Sequence, residues 1–303
     1  MKAIFFDCPP FLHELYQGEL AGIVPDLEIN VGSPSRDEAI ALLAGATFAM
    51  NDHTQMDEAF LAACPSLKAI VFLGTGAASF IDLAAAERLG IRVRAYGGYG
   101  DQSVAEHAMA LVFAAARQIA TMDRAVRQGH WEALNGMELA GKVLGVVGTG
   151  GIGKVMVRLG AGLGMRVIAW NRSGVSPDLP CEAVELDVLL GRADVVSVHV
   201  ALNEGSRGLI DRRRIGLLRP GAILVNTARG AILDEPALVE ALQAGRIAHA
   251  GLDVFADEPL PENHPLTKLD NVTLTAHAAF MTEEASARLL RMALELLAEE
   301  RAA

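Results

Sequence analysis

The chain has 303 residues, 51% hydrophobic and 21% charged, enough for two ordinary domains with sizeable cores. Its formal net charge of −11 repels phosphate backbones and anionic lipid, so neither nucleic acid nor membrane is expected as a partner, and an anionic substrate needs a local positive site. No apolar run approaches the roughly 18 residues that a bilayer requires. Cys8, Cys64 and Cys181 lie at no metal-binding or redox spacing, which reads as reduced thiols in a cytoplasmic protein with no bound metal.

The first ten residues read as a buried strand rather than a leader, being too short for a signal segment. Short apolar runs at residues 2–6, 27–31, 47–50, 68–73 and 91–94 predict strands, and amphipathic stretches at 37–43, 57–63 and 81–89 predict helices between them. That alternation implies a parallel sheet covered on both faces. Glycine-rich residues 97–100 mark a hinge. From 103 to 127 the pattern predicts one long helix, apolar on most sides, which a subunit interface or a position between two domains would bury. A second series follows, with strands at 143–147, 166–170, 195–200, 222–226, 248–254 and 272–275 and a closing helix at 282–299. The expected fold is α/β, two doubly wound parallel sheets.

Gly148-Thr149-Gly150-Gly151-Ile152-Gly153 follows a predicted strand and opens a predicted helix. In that setting the first glycine permits the tight turn, the second lets backbone amides approach a pyrophosphate, and the third allows close packing of helix on strand. The next strand ends in Asn171, Arg172 and Ser173, where an acidic residue would bind the ribose hydroxyls of NAD. A guanidinium there would pair with a 2′-phosphate, which favours NADP(H) over NAD(H), unless Arg172 is merely a solvated loop residue. Three later strands end in polar groups. His277 can supply a proton to a reduced ketone, Glu258 can keep that imidazole charged, and Arg229 can grip a carboxylate. Singly, each is more often a structural or exposed group, and it is their joint arrangement after a dinucleotide fingerprint that points to chemistry. His199 and His107 are weaker candidates, and His53 with Asn51 follows a first-series strand and could face a cleft.

These residues resemble the D-isomer-specific 2-hydroxyacid dehydrogenases. The likeness runs through Leu67-Lys68-Ala69-Ile70, Gly74-Thr75-Gly76, Ser103-Val104-Ala105-Glu106-His107, the glycine fingerprint, and the segments at 199–210, 226–230, 253–259 and His277. It implies a flavodoxin-like substrate domain, residues 1–98 with 276–303, into which a Rossmann dinucleotide-binding domain, residues 99–275, is inserted. It implies that Arg229, Glu258 and His277 are catalytic. It implies that Gly74, Thr75 and Gly76 bind the substrate carboxylate, and that Tyr96, Val104, Val200, Ala201, Thr227, Ala228 and Asp253 lie against the cofactor. It also implies a homodimer built on the long helix. The stretch from Tyr99 to Ala105, with Phe280 beside the catalytic histidine, is most like the glycerate dehydrogenase and hydroxypyruvate or glyoxylate reductase branch. Ala276, Ala95 and Asp101 depart from that branch's usual Pro, Asn and Thr. Two other readings stay open, a dinucleotide-sensing corepressor-like protein and a phosphite dehydrogenase-like enzyme. A formate dehydrogenase is disfavoured, because such enzymes carry Gln where this chain has Glu258.

Overall fold

The computed structural model describes residues 1–302. The chain divides into two compact units, unit 1 comprising Met1–Gly100 and the residues from Met281 onward, and unit 2 comprising Asp101–Phe280.

Unit 1 is built on strands β1 (Ala3–Cys8), β2 (Glu28–Val31), β3 (Phe48–Asn51), β4 (Ala69–Phe72) and β5 (Arg92–Ala95). Helices α1 (Pro10–Leu15), α2 (Glu19–Ile23), α3 (Arg36–Leu42), α4 (Glu58–Ala62) and α5 (Leu83–Arg88) connect them. All strand pairs are parallel, in the order β2-β1-β3-β4-β5. Parallel strands need crossovers, and the crossover helices cover both faces, so β1, β3 and β4 are buried throughout. Side chains alternate between two cores: Ile4, Phe6, Ile70 and Phe72 pack with Phe60 and Ile81, whereas Phe5, Met50 and Val71 face the other way. Ser35 closes a capping box with Glu38, and Asp57 and Asp82 cap α4 and α5. The short helices α1 and α2 are not anticipated by periodicity. Pro10 stands at the first turn of α1, where its missing N–H costs nothing.

Unit 2 opens with α6 (Asp101–Ala116) and α7 (Ile119–Arg127). The single helix expected here is two, because Gln118 takes a left-handed conformation, φ 51°, fixed by its Nε2 donating to Asn135 O at 2.7 Å. The apolar sides of α6 are met inside unit 2: Ala108, Leu111 and Val112 pack in one core with Met156, Val157, Ile223 and Val225. Strands β6 (Val143–Val147), β7 (Arg166–Trp170), β8 (Glu182–Ala183), β9 (Val195–Val198), β10 (Ala222–Asn226), β11 (Ile247–Leu252) and β12 (Val272–Leu274) form a parallel sheet ordered β12-β11-β10-β9-β6-β7-β8. Its crossovers include α8 (Gly151–Gly162), α9 (Leu186–Arg192), α10 (Arg212–Ile215) and α11 (Glu235–Gln243). The two-residue strand β8 was not expected. Strands β9, β11 and β12 stop short of their predicted ends, and the released residues His199, Asp253 and Thr275 turn into side-chain hydrogen bonds instead. Among the described residues no helix is long and apolar enough to cross a membrane, and the three cysteines are free thiols.

The last helix, α12 (Glu283–Ala302), belongs to unit 1, where Leu289, Leu290, Leu294 and Leu297 share a core with Phe5, Phe48 and Leu73. Near its end Glu300, 5% exposed, accepts from Arg92 Nε at 2.8 Å and from Arg94 Nη1 at 2.6 Å. Burial alone would raise that carboxyl, but the two guanidiniums outweigh it and hold Glu300 below the ordinary carboxylate range. A group whose pKa falls on folding stabilises above its unfolded pKa, and the contribution disappears as pH falls through the folded value. Glu300→Gln should therefore lower stability at pH 7 by about 1–2 kcal/mol, a figure reduced for the solvent reaching both arginines. Urea unfolding midpoints of variant and wild type should converge as the pH falls below the carboxylate range; a gap of constant size would contradict this account.

Candidate active site

The glycine loop after β6 is shaped by close approaches. Gly148 has φ +98°, and a Cβ there would lie 2.7 Å from His199 O. At Gly153 a Cβ would lie 1.9 Å from Gly148 O, so only glycine lets α8 pack this near the turn. Gly150, the N-cap of α8, has open space where a side chain would point. It provides no side-chain cap and no acidic residue follows in the first turn, so the first amides of α8 keep their capacity for an anion. At Gly151 a Cβ would meet the carboxylate of Asp101, the first residue of α6, at 1.8 Å. Thr149 is buried, and its backbone N–H donates to Asn171 Oδ1 at 3.3 Å.

Beyond β7, Asn171 Nδ2 donates to Ser173 Oγ and Gly174 O, so its amide holds the loop rather than pointing free. Arg172 is exposed, with Nη1 near Gly205, and forms no ion pair among the described residues. Beyond β9, His199 is buried. Its Nε2 pairs with Ser197 Oγ at 2.8 Å, its Nδ1 has no partner, and burial pulls its pKa down to about 4. Beyond β10, Thr227 Oγ1 is likewise buried without a partner, a polar group still to be satisfied. An uncapped glycine turn, a basic loop after the next strand and these orphaned atoms fit a dinucleotide phosphate and its attached sugars.

Three neighbouring strands, β10, β11 and β12, carry Arg229, Glu258 and His277 beyond their carboxyl ends. Buried Asn226 shapes the first turn: its Oδ1 accepts from Ala228 N and its Nδ2 donates to Arg229 O, both at 3.0 Å. Gly230 lies so close to Phe255 that a Cβ would be 1.9 Å from its carbonyl carbon, which presses the Arg229 turn onto the loop of Glu258. Arg229 Nη1 donates to Ala228 O at 2.6 Å, and the guanidinium forms no salt bridge among the described residues. Glu258 Oε1 accepts from Phe255 N at 2.9 Å, and its Oε2 accepts from His277 Nδ1 at 2.7 Å. Burial raises the Glu258 carboxyl, yet the bonds from His277 and Phe255, with Arg229 nearby, bring it below its ordinary value. The imidazole is thereby fixed with Nδ1 as donor, leaving Nε2 for chemistry. Phe280 meets the His277 ring edge-on, centroids 6.4 Å apart.

Sequence reasoning missed what holds His277. The residue sits at φ +50°, and its N–H donates to Asp253 O at 2.8 Å. Asp253 is fully buried; Oδ1 accepts from Thr275 Oγ1 and Ala278 N, and Oδ2 from Ala279 N. His107 of α6 bonds the same threonine hydroxyl at 3.0 Å. The sequence signal for this pin was an acidic residue directly after an apolar strand, with a threonine two residues before His277. Of the other residues singled out, Val104 is buried, Val200 and Ala228 are half-buried, and Ala201 and Ser173 are exposed. Gly74, Thr75, Gly76 and Tyr96 belong to unit 1, where Gly74 turns the chain at φ +140° after β4.

Residues 109–279 match the model of the D-isomer specific 2-hydroxyacid dehydrogenase, NAD binding domain. The chain is 41% identical to a glyoxylate reductase of Aeropyrum pernix over 80% of its length and 76% of that protein's. It is 38% identical to a hydroxypyruvate reductase of Thermotoga maritima, over 87% of this chain and 88% of the relative. The crystal structure of the TT0316 protein from Thermus thermophilus superposes with a TM-score of 0.88 at 32% identity, covering 99% and 97% of the two chains. A dinucleotide turn, a carboxylate-bound imidazole and these likenesses converge: the chain belongs to the D-isomer specific 2-hydroxyacid dehydrogenase family and is an oxidoreductase that uses a nicotinamide dinucleotide.

Proposed function

We propose that the chain reduces a short 2-keto acid, hydroxypyruvate or glyoxylate, to the D-2-hydroxy acid, with NADPH preferred over NADH. The observation that carries this reading is the 2.7 Å contact of His277 Nδ1 with Glu258, on a strand end next to that of an arginine without a carboxylate partner. The relatives bearing glyoxylate and hydroxypyruvate reductase names support the substrate class.

The bound nicotinamide supplies the hydride. Unit 2 holds the dinucleotide: the amides at the start of α8 take the diphosphate, Arg172 and Ser173 the 2′-phosphate, and Thr227 lines the remainder. Arg229 binds the substrate carboxylate by paired N–H donors. Charge growing on the keto oxygen receives a proton from His277 Nε2, while Glu258 stabilises the imidazolium through Nδ1. Loss of this acid should be severe. His277→Gln should lower kcat by about 100-fold or more. Arg229→Ala should raise KM for the keto acid by about tenfold or more and reduce kcat as well. Steady-state kinetics that stayed normal in either variant would remove that residue from the mechanism.

Cofactor choice rests on Arg172, since the Asn171 amide already holds Thr149, Ser173 and Gly174. A bond to a charged group contributes about 1.5–3 kcal/mol, so Arg172→Ala should lower kcat/KM for NADPH by about 10- to 100-fold. The value for NADH should change little. A wild type that works better with NADH would refute this preference and leave the acid–base assignment standing.

The protein is also proposed to be a homodimer. Unit 2 leaves Ile119 and Val126 of α7 about half exposed and Trp131 90% exposed on the segment that follows. Apolar groups of this size cost free energy in water and are characteristic of covered surfaces. Trp131→Glu should shift sedimentation velocity profiles from dimer to monomer at micromolar concentration. A wild type already monomeric there would end the proposal.

A further inference from the structure

Asp101, the first residue of α6, is half-buried in unit 2. Its place is fixed, because α6 packs along α8, with Ala108, Met109, Met156 and Val157 in one core. The first residue of α8 is Gly151, and a Cβ on it would overlap both oxygens of the Asp101 carboxylate and the carbon between them. The carboxylate therefore rests on the Cα of Gly151, and glycine is the residue that leaves room for it. On Gly150, one residue earlier, a Cβ would meet nothing within 4 Å. The glycine turn is thus open on one side and bordered by a negative charge on the other. Asp101 enters no ion pair and no side-chain hydrogen bond among the described residues. An acidic residue in the first turn favours α6, yet these oxygens lie at the start of α8 as well.

We propose that Asp101 is a counter-charge that weakens dinucleotide binding and so speeds cofactor exchange. The inference rests on the reading that the amides at the start of α8 take the diphosphate. Those amides carry the positive end of the helix dipole, which attracts phosphate. A carboxylate already beside them cancels part of that attraction and also repels the diphosphate directly, so both effects have the same sign. Unit charges a few ångströms apart near a protein surface interact strongly enough to change a binding constant by about tenfold or more. NADPH and NADH carry the same diphosphate, so the carboxylate lowers affinity for both and does not choose between them. A nicotinamide dinucleotide is a co-substrate that must leave after each turnover, and affinity changes within one interface act mainly on the rate of leaving. A looser grip raises turnover wherever that release is the slow step.

The experiment measures Kd for NADPH and NADH by the fluorescence of the bound reduced nicotinamide, and NADPH release by stopped flow, both without keto acid. Asp101→Asn, which keeps the shape and removes the charge, should lower Kd for both dinucleotides by about tenfold at low ionic strength. The gain should appear mainly as slower release. The gap to wild type should narrow in about 0.5 M salt, which screens the charge. Adenosine 2′-monophosphate, which lacks the diphosphate, should compete equally well against both proteins. Asp101→Thr should tighten dinucleotide binding similarly, and decides the matter if the asparagine variant does not fold. Equal or weaker dinucleotide binding in these variants, or the same gain for adenosine 2′-monophosphate, would overturn the counter-charge while leaving the cofactor site standing. A wild type that binds neither dinucleotide would overturn both.

Discussion

Two fully buried aspartates organise the polar ends of this molecule. A carboxylate removed from water costs several kcal/mol unless donors replace the solvent. Asp7 in unit 1 and Asp253 in unit 2 are each answered by the backbone of a loop beyond a neighbouring strand: residues 52–54 in one case and 278–279 in the other. Because the donors are consecutive amides, satisfying the charge fixes the path of the loop. In both units that loop carries a histidine. The buried charge thus converts a sheet edge into a defined position for an imidazole, and a neutral replacement would leave those amides with weaker acceptors.

The position so fixed is not a relaxed one in unit 2. His277 adopts φ +50°, a region that costs a β-carbon-bearing residue about 1–2 kcal/mol. Three successive amides, those of His277, Ala278 and Ala279, all donate to Asp253, which offsets that strain. On the other side of the ring, Glu258 takes Nδ1 and is itself held by Phe255 N. Gly230, with no room for a side chain against Phe255, brings the arginine turn against the same loop. Arg229, Glu258 and His277 thus come from three strand ends, and each is set by a backbone hydrogen bond or a close approach rather than by its own side-chain preference.

Much of this was legible in the sequence. The apolar runs at 143–147, 166–170 and 222–226 coincide with β6, β7 and β10, because a strand buried on both faces must be apolar throughout. The glycine fingerprint could be read because its constraint is local: turn, approach and packing lie within six residues. Arg229, Glu258 and His277 stood out as polar groups at strand ends, with Glu258 read as the partner of the His277 imidazole. The break at Gln118 was hidden, since no glycine or proline marks it and its cause is a hydrogen bond to Asn135, far along the chain. The functions of Asp7 and Asp253 were hidden for the same reason, because each depends on partners brought by another strand.

The histidines show how far partners, not position, decide chemistry. His53, His199 and His277 all follow apolar strands of parallel sheets, and the sequence placed His277 first without showing what each ring touches. Burial holds His199 neutral near physiological pH, with a pKa of about 4, and its Nε2 is engaged by Ser197. It can be a structural or cofactor-facing group, but it cannot carry a proton to an alkoxide, because the charged form is too costly where it sits. His53 has the carboxylate that a proton carrier needs, but its Nε2 is already bonded to Ser33. Only His277 combines a carboxylate on Nδ1 with an Nε2 that makes no hydrogen bond within the described residues. The proposal that His277 is the acid therefore rests on its hydrogen bonds as well as on resemblance.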